Sequence, residues 1–267
     1  MLSRPIPRTG EALPAIGLGT WQTFDVGDDG RAPLAEVIAA FLDAGGRVID
    51  SSPMYGRAET VVGDLLRAAG RVKEPFLATK VWTSGGARGK EQMQESIRKM
   101  GRVDLMQIHN LLDWKTHLPT LREWKAKGTF RYIGITHYGL GSFDDMEQIL
   151  RKEKVDFIQL PYSAATRAAE KRLLPAAADT QTAVLVMRPF EEGGLFAKVK
   201  GKALPAWAAE AGAASFAQLF LKFIVSHPAV TCVIPATANV AHLVDNMGAG
   251  RGPLPDAKLR EKIAGLV

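Results

Sequence analysis

Short apolar runs recur along the chain with almost no polar alternation, at residues 16–20, 47–50, 76–80, 104–109, 132–136, 157–160, 183–187 and 231–235. Strands that read as continuous apolar runs are those buried on both faces, as in parallel sheets. Between them lie stretches of helical character at 34–44, 60–69, 91–100, 143–151, 168–178 and 216–226, with a helix-like tail at 255–266. Gly45-Gly46, Gly70, Gly101, Gly128 and Pro228 punctuate the boundaries, as expected where helices stop and loops begin. Repeated strand-helix alternation predicts parallel βαβ units, and eight strands favour closure over an open sheet. The expected architecture is α/β, a (β/α)8 TIM barrel forming one domain over residues 1–267.

Composition agrees with an ordinary globular chain: 46% hydrophobic and 23% charged residues, with a mean hydropathy of −0.02. The single cysteine, Cys232, excludes an internal disulfide or a cysteine metal cluster, and no His-x-His or HExxH pair occurs among the five histidines. No metal site is expected. No apolar stretch approaches the roughly 20 residues of a membrane span. The first residues, broken by Pro5 and Pro7, hold no apolar core of the kind a secretory leader needs. A cytoplasmic protein with no membrane partner is therefore expected. Although the net charge is +6, the cations are scattered in small groups rather than drawn into a stripe with interleaved aromatics, so no nucleic-acid partner is expected either. Gly17-Leu18-Gly19 begins like a dinucleotide fingerprint, but Gln22 stands where the third glycine is needed, and the open-sheet reading fails with it.

The chemistry collects at strand ends, where barrels of this kind carry their active sites. Asp50 closes the second predicted strand, Lys80 the third and His109 the fourth, and Tyr55 follows in the loop after Asp50. These four residues resemble the catalytic tetrad of the aldo-keto reductase family, and the resemblance implies hydride delivery to a carbonyl carbon. Negative charge then builds on the oxygen, which needs a proton donor within about 3 Å. Tyrosine has that proton, but with an ordinary pKa near 10 it needs its phenolate stabilised. An ammonium such as Lys80 would do so, with Asp50 holding it in place, while His109 would orient the carbonyl.

Several motifs together resemble the aldo-keto reductase family: Gly17-Leu18-Gly19-Thr20-Trp21, Ile49-Asp50-Ser51-Ser52-Pro53-Met54-Tyr55-Gly56, Thr79-Lys80-Val81-Trp82 and Asp104 to His109. The match continues through Tyr132 to Thr136, Gln159, Val233-Ile234-Pro235 and Asp245-Asn246. The resemblance implies an NAD(P)H-dependent carbonyl reductase, with Asp50, Tyr55, Lys80 and His109 at the catalytic tetrad. It implies cofactor contacts at Thr20, Trp21, Asp50, Thr136, His137, Gln159, Met187, Arg188, Pro189, Phe190, Ala236, Thr237, His242 and Asn246. It also implies substrate contacts at Trp21, Trp82, His109 and Asn110, and a small-molecule carbonyl substrate; the expected assembly is a monomer or weak oligomer. A non-catalytic NADP(H)-binding regulatory barrel is the alternative, which degenerate tetrad positions would signal; all four are intact.

The chain departs from the family pattern in three places. Met187 stands where an aromatic usually stacks on the nicotinamide, and Thr136-His137 replaces the usual Ser-Asn pair. Ala236 and His242 replace the Lys and Arg that grip the 2′-phosphate of NADPH. NADP is the expected cofactor, with NAD as the alternative and with weaker discrimination than the family usually shows. Arg188 and the Lys198, Lys200, Lys202 group are the cations available to replace the lost pair.

Overall fold

Alternation by two organises the interior. The computed structural model describes residues 1–267. Eight parallel strands, β3 (Leu18–Gly19), β4 (Val48–Asp50), β5 (Phe76–Val81), β6 (Leu105–Ile108), β7 (Tyr132–Thr136), β8 (Phe157–Pro161), β9 (Ala183–Met187) and β10 (Cys232–Val233), pair in chain order. Parallel bridges from Ile16 to Val233 and from Gly19 to Ala236 close the barrel.

Ile49, Leu77, Met106, Ile133, Ile135, Ile158, Val184 and Val233 point outward into the large core shared with the helices. Their neighbours Val48, Phe76, Leu105, Tyr132, Phe157, Ala183 and Cys232 point inward into a second, smaller apolar cluster. Successive strand side chains face opposite sides, so the strands look apolar throughout because both sides are buried. Each such side chain contributes about 1.5–3 kcal/mol when large and fully buried.

Below the barrel a hairpin of β1 (Ser3–Pro5) and β2 (Ala12–Pro14) inserts Ile6 and Leu13 into the inner cluster. The rings of Phe76, Tyr132 and Phe157 form a floor with centroids 5.5 to 5.9 Å apart. Further along four of the strands, inward positions turn polar: Asp50 on β4, Lys80 on β5, Gln107 on β6 and Gln159 on β8, all buried. Gly134, paired in register with Gln107, has no room for a side chain, since a Cβ there would sit 2.9 Å from Phe157 O and 3.2 Å from Gln107 Cγ.

The surrounding helices are α1 (Arg31–Asp43), α2 (Ala58–Ala68), α3 (Gly86–Met100), α4 (Trp114–Ala126), α5 (Phe143–Glu153), α6 (Leu173–Asp179), α7 (Gly194–Val199), α8 (Phe216–Val225), α9 (Val240–Gly248) and α10 (Ala257–Ala264). The sequence pattern leaves α4, α7, α9 and the hairpin unassigned. Pro119 lies inside α4 but on its exposed side, while His117, Leu118, Thr120 and Leu121 are buried. A proline is a breaker in an isolated reading, and here packing on the barrel outweighs it. Helix α6 starts at Leu173 rather than 168, because Ala168–Glu170 closes a separate 3-10 turn and Arg172 leaves helical geometry with φ −141°. Helix α9 has a cap that is visible in hindsight: the Asn239 side chain accepts from His242 N at 3.1 Å. No helix is long and apolar enough to cross a membrane.

Candidate active site

At the C-terminal ends of the strands the barrel opens into a cleft of about 700 Å³. Asp50 is fixed first. Its Oδ2 accepts from Lys80 Nζ at 2.6 Å, and its Oδ1 accepts from the amides of Gln107 at 3.1 Å and Gln159 at 2.9 Å. Lys80 is fully buried and also donates to Ser51 O at 2.7 Å. An ammonium carries three donors, so one remains on the side of Tyr55, whose ring centroid lies 5.0 Å from Nζ. Burial pulls the Lys80 ammonium toward neutrality, but Asp50, joined by Tyr55, outweighs it, and the net direction is upward.

Tyr55 ends a 3-10 turn, Pro53–Tyr55, capped by Ser52, whose Oγ accepts from Met54 N. Gly56 follows with φ +61°, a left-handed conformation that favours glycine, and the Asp25 carboxylate fills the space a Cβ would take. The Tyr55 phenol is pushed up by burial, and Lys80 opposes that without overcoming it. The expectation that lysine would lower this group therefore holds for the direction of its influence, while desolvation sets the net result. Tyr55 keeps its proton across the neutral range.

His109 meets the Tyr55 ring edge-on, with centroids 5.8 Å apart. Its Nδ1 lies 2.9 Å from Ser52 Oγ. Burial, then the Lys80 charge and His137, lowers the imidazole to about 3, so it is neutral at physiological pH. That has a measurable cost in acid. The unfolded chain takes up a proton at this histidine below about pH 6.5, whereas the folded one does not until about pH 3. The associated stability is complete above pH 6.5 and drains away as pH falls toward 3. Urea unfolding between pH 7.5 and 5 is expected to show a smaller loss for His109→Gln than for the wild type. Identical losses would mean that His109 titrates normally in the folded protein.

The cleft is lined by Thr20, Trp21, Asp50, Tyr55, His109, Asn110, Gln159, Met187, Arg188, Pro189, Phe190 and Ala236, all marked out by the sequence. It is also lined by Gln22, Thr23, Met54, Tyr138, Glu192 and Phe196, which were not. Trp82 is half-exposed outside this lining, its ring 6.3 Å from that of His109. Gln92 holds the Trp82 backbone at both N and O. Trp114 and Leu111 pack against the core. Thr136 is buried at the end of β7, in register with Gln159, and its hydroxyl has no partner. His137 spends both ring nitrogens inside its own loop, on Gly139 N and Ser142 Oγ, and stacks on Tyr138. Thr237 is occupied by Asn239, Asn246 is buried in α9, and His242 is exposed.

A sequence profile described as the aldo/keto reductase family matches residues 15–262. The chain belongs to the aldo/keto reductase family. Among curated relatives it is 28% identical over 261 residues, 93% of this chain and 89% of the other, to the methylglyoxal reductase YeaE of Escherichia coli. It is 27% identical over 225 residues, 71% of this chain and 67% of the other, to an NADH-specific methylglyoxal reductase of the same organism. Among solved structures, an aldo/keto reductase from Klebsiella pneumoniae in complex with NADP and acetate superposes with a TM-score of 0.82 at 25% identity, covering 100% of this chain and 95% of that one.

Against this family background, two residues at the site stand out because sequence reasoning passed over them. Gln107 and Ser52 both touch groups of the tetrad. Gln107 carried a usable signal: it lies on β6 two residues after the inward-facing Leu105, so alternation by two puts it on the inner face as well, just before His109. Ser52 carried none beyond lying between Asp50 and Tyr55.

Proposed function

We propose that this aldo/keto reductase converts a small aldehyde or ketone to its alcohol, with Tyr55 as the acid and Lys80, Asp50 and His109 as its support. The observation that carries the reading is the convergence of the Tyr55 phenol, the buried Lys80–Asp50 pair and the His109 imidazole at one end of the barrel cleft.

The chain fits a nicotinamide ring. Gln159 gives its amide N–H to Asp50, which leaves its carbonyl oxygen as an acceptor, and the unpartnered Thr136 hydroxyl beside it is a donor. That pair complements a carboxamide, which has one NH2 group and one carbonyl oxygen. When bound, reduced nicotinamide supplies a hydride to the carbonyl carbon. As the C=O π bond breaks, Tyr55 gives its hydroxyl proton to the oxygen, and Lys80 stabilises the phenolate left behind. Asp50 keeps Lys80 charged and aimed, while the neutral His109 holds the carbonyl oxygen near the phenol. Solvent restores the Tyr55 proton after the alcohol leaves.

NADPH is the proposed preferred cofactor and NADH the alternative. The Klebsiella relative was solved with NADP, whereas the second E. coli relative is NADH-specific. In this chain Ala236 lines the cleft without a charge and Lys198, Lys200 and Lys202 are exposed outside it, so Arg188 is the one fixed cation in the lining. It sits at φ +54° and pairs with Glu192 at 3.0 Å, its Nε buried without a partner. Anionic phosphates would compete with Glu192 for that guanidinium.

Initial rates with methylglyoxal and a carbonyl panel, using NADPH and NADH, test the reading. Arg188→Met is expected to raise the KM of either cofactor by about tenfold, the worth of one charge-assisted hydrogen bond, with kcat largely kept. No turnover of any carbonyl with either cofactor would refute the reading.

A further inference from the structure

Ser52 lies outside the tetrad, yet it is fully buried between two of its members. Its backbone is extended, and its hydroxyl oxygen accepts from Met54 N at 3.2 Å, capping the turn that carries Tyr55. The same hydroxyl lies 2.9 Å from His109 Nδ1. A hydroxyl has one proton to give and two lone pairs to receive with. Were Nδ1 protonated, Ser52 would receive twice and its own buried proton would have no acceptor, which is an expensive arrangement. With Nδ1 bare, Met54 N–H, the Ser52 hydroxyl and Nδ1 form one consistent chain of donors and acceptors. The ring's one proton is then on Nε2, which has no partner in the protein and belongs to a residue lining the cleft.

We propose that Ser52 is a positioning residue of this site: by donating to Nδ1 it locks His109 in the Nε2–H tautomer, so that the imidazole meets the substrate oxygen as a hydrogen-bond donor. The use made of that donor rests on the carbonyl-reductase reading; the tautomer itself does not. Which ring nitrogen carries the proton is set by the bond the other one makes, and here that bond comes from a side chain two residues beyond Asp50 and three before Tyr55. One hydroxyl thereby couples the orientation of the acid's turn to the polarity of the oxygen-binding group.

The test is ¹⁵N NMR of the full-length protein labelled at histidine, where protonated and bare ring nitrogens differ widely in shift. The wild type is expected to show His109 as a single neutral tautomer, with the proton on Nε2, unchanged from pH 6 to 8.5. Ser52→Ala is expected to populate the Nδ1–H form and to lower kcat/KM for carbonyl reduction about tenfold, with the cofactor KM unmoved. A purely structural cap would alter stability and leave the tautomer alone. A wild-type spectrum with the proton on Nδ1 overturns the proposal by itself, even if Ser52→Ala does not fold. So does a Ser52→Ala protein that keeps the Nε2–H form. If the tautomer behaves as expected but no carbonyl is reduced, the functional reading fails while the role of Ser52 stands.

Discussion

Tyr55→Phe is expected to lower carbonyl turnover by at least about 10², the usual worth of a positioned general acid, while cofactor affinity changes little. The substitution removes one oxygen and keeps the ring that meets His109 edge-on. The turn around it is held by Ser52 and Gly56 rather than by the hydroxyl. Because the Tyr55 phenol is pushed up by burial, the wild type should hold its proton throughout the neutral range, and the hundredfold gap should persist from pH 6 to 8. Single-turnover rates with pre-bound cofactor, alongside cofactor titration by fluorescence, separate chemistry from binding. Near-normal turnover in Tyr55→Phe on every carbonyl the wild type reduces would remove Tyr55 from the acid's role.

Lys80→Met is expected to act on stability and activity together. Asp50 would be left buried with two amide donors and no cation, and breaking a buried pair from one side costs about 3 to 5 kcal/mol. Activity should fall by a factor comparable to that in Tyr55→Phe, since the phenolate loses the charge that stabilises it. The double variant Asp50→Asn/Lys80→Met discriminates between the two effects. It removes both charges and so leaves none buried and unpaired, while the side-chain amide oxygen introduced at position 50 still accepts from the amides of Gln107 and Gln159. Urea unfolding should therefore recover part of the lost stability while carbonyl reduction stays lost. Recovery of activity in the double variant would show that the pair serves only the fold.

The barrel and four of its polar groups were legible because the signals are local. Each strand is a short run, three of them carry Asp50, Lys80 or His109 at or next to the end, and the chain order of strands and helices fixes the topology. The spacing between strands hid less obvious features. Continuous apolar runs conceal which residues face inward, and only the step of two from Leu105 on to Gln107, or from Lys80 back to Ala78 and Phe76, separates the inside from the outside. Once that parity is applied, the aromatic floor and the polar layer above it follow from the sequence. What no pattern reveals is a contact between separate strand ends, such as Ser52 with His109, since it depends on how far neighbouring strands are staggered around the barrel. Helix α4 was hidden by Pro119, because propensity cannot see the buried face that overrides it.

The missing side chain at Gly134 has an evolutionary consequence. The amide of Gln107 reaches Asp50 through space that any Cβ on the neighbouring strand would crowd. The two positions are therefore expected to covary among related sequences: where the site matching Gly134 acquires a side chain, the site matching Gln107 should become smaller or lose its amide. In such lineages the carboxylate matching Asp50 would keep its lysine but lose one of its two amide donors, and selection would act on the two positions as a single inherited unit.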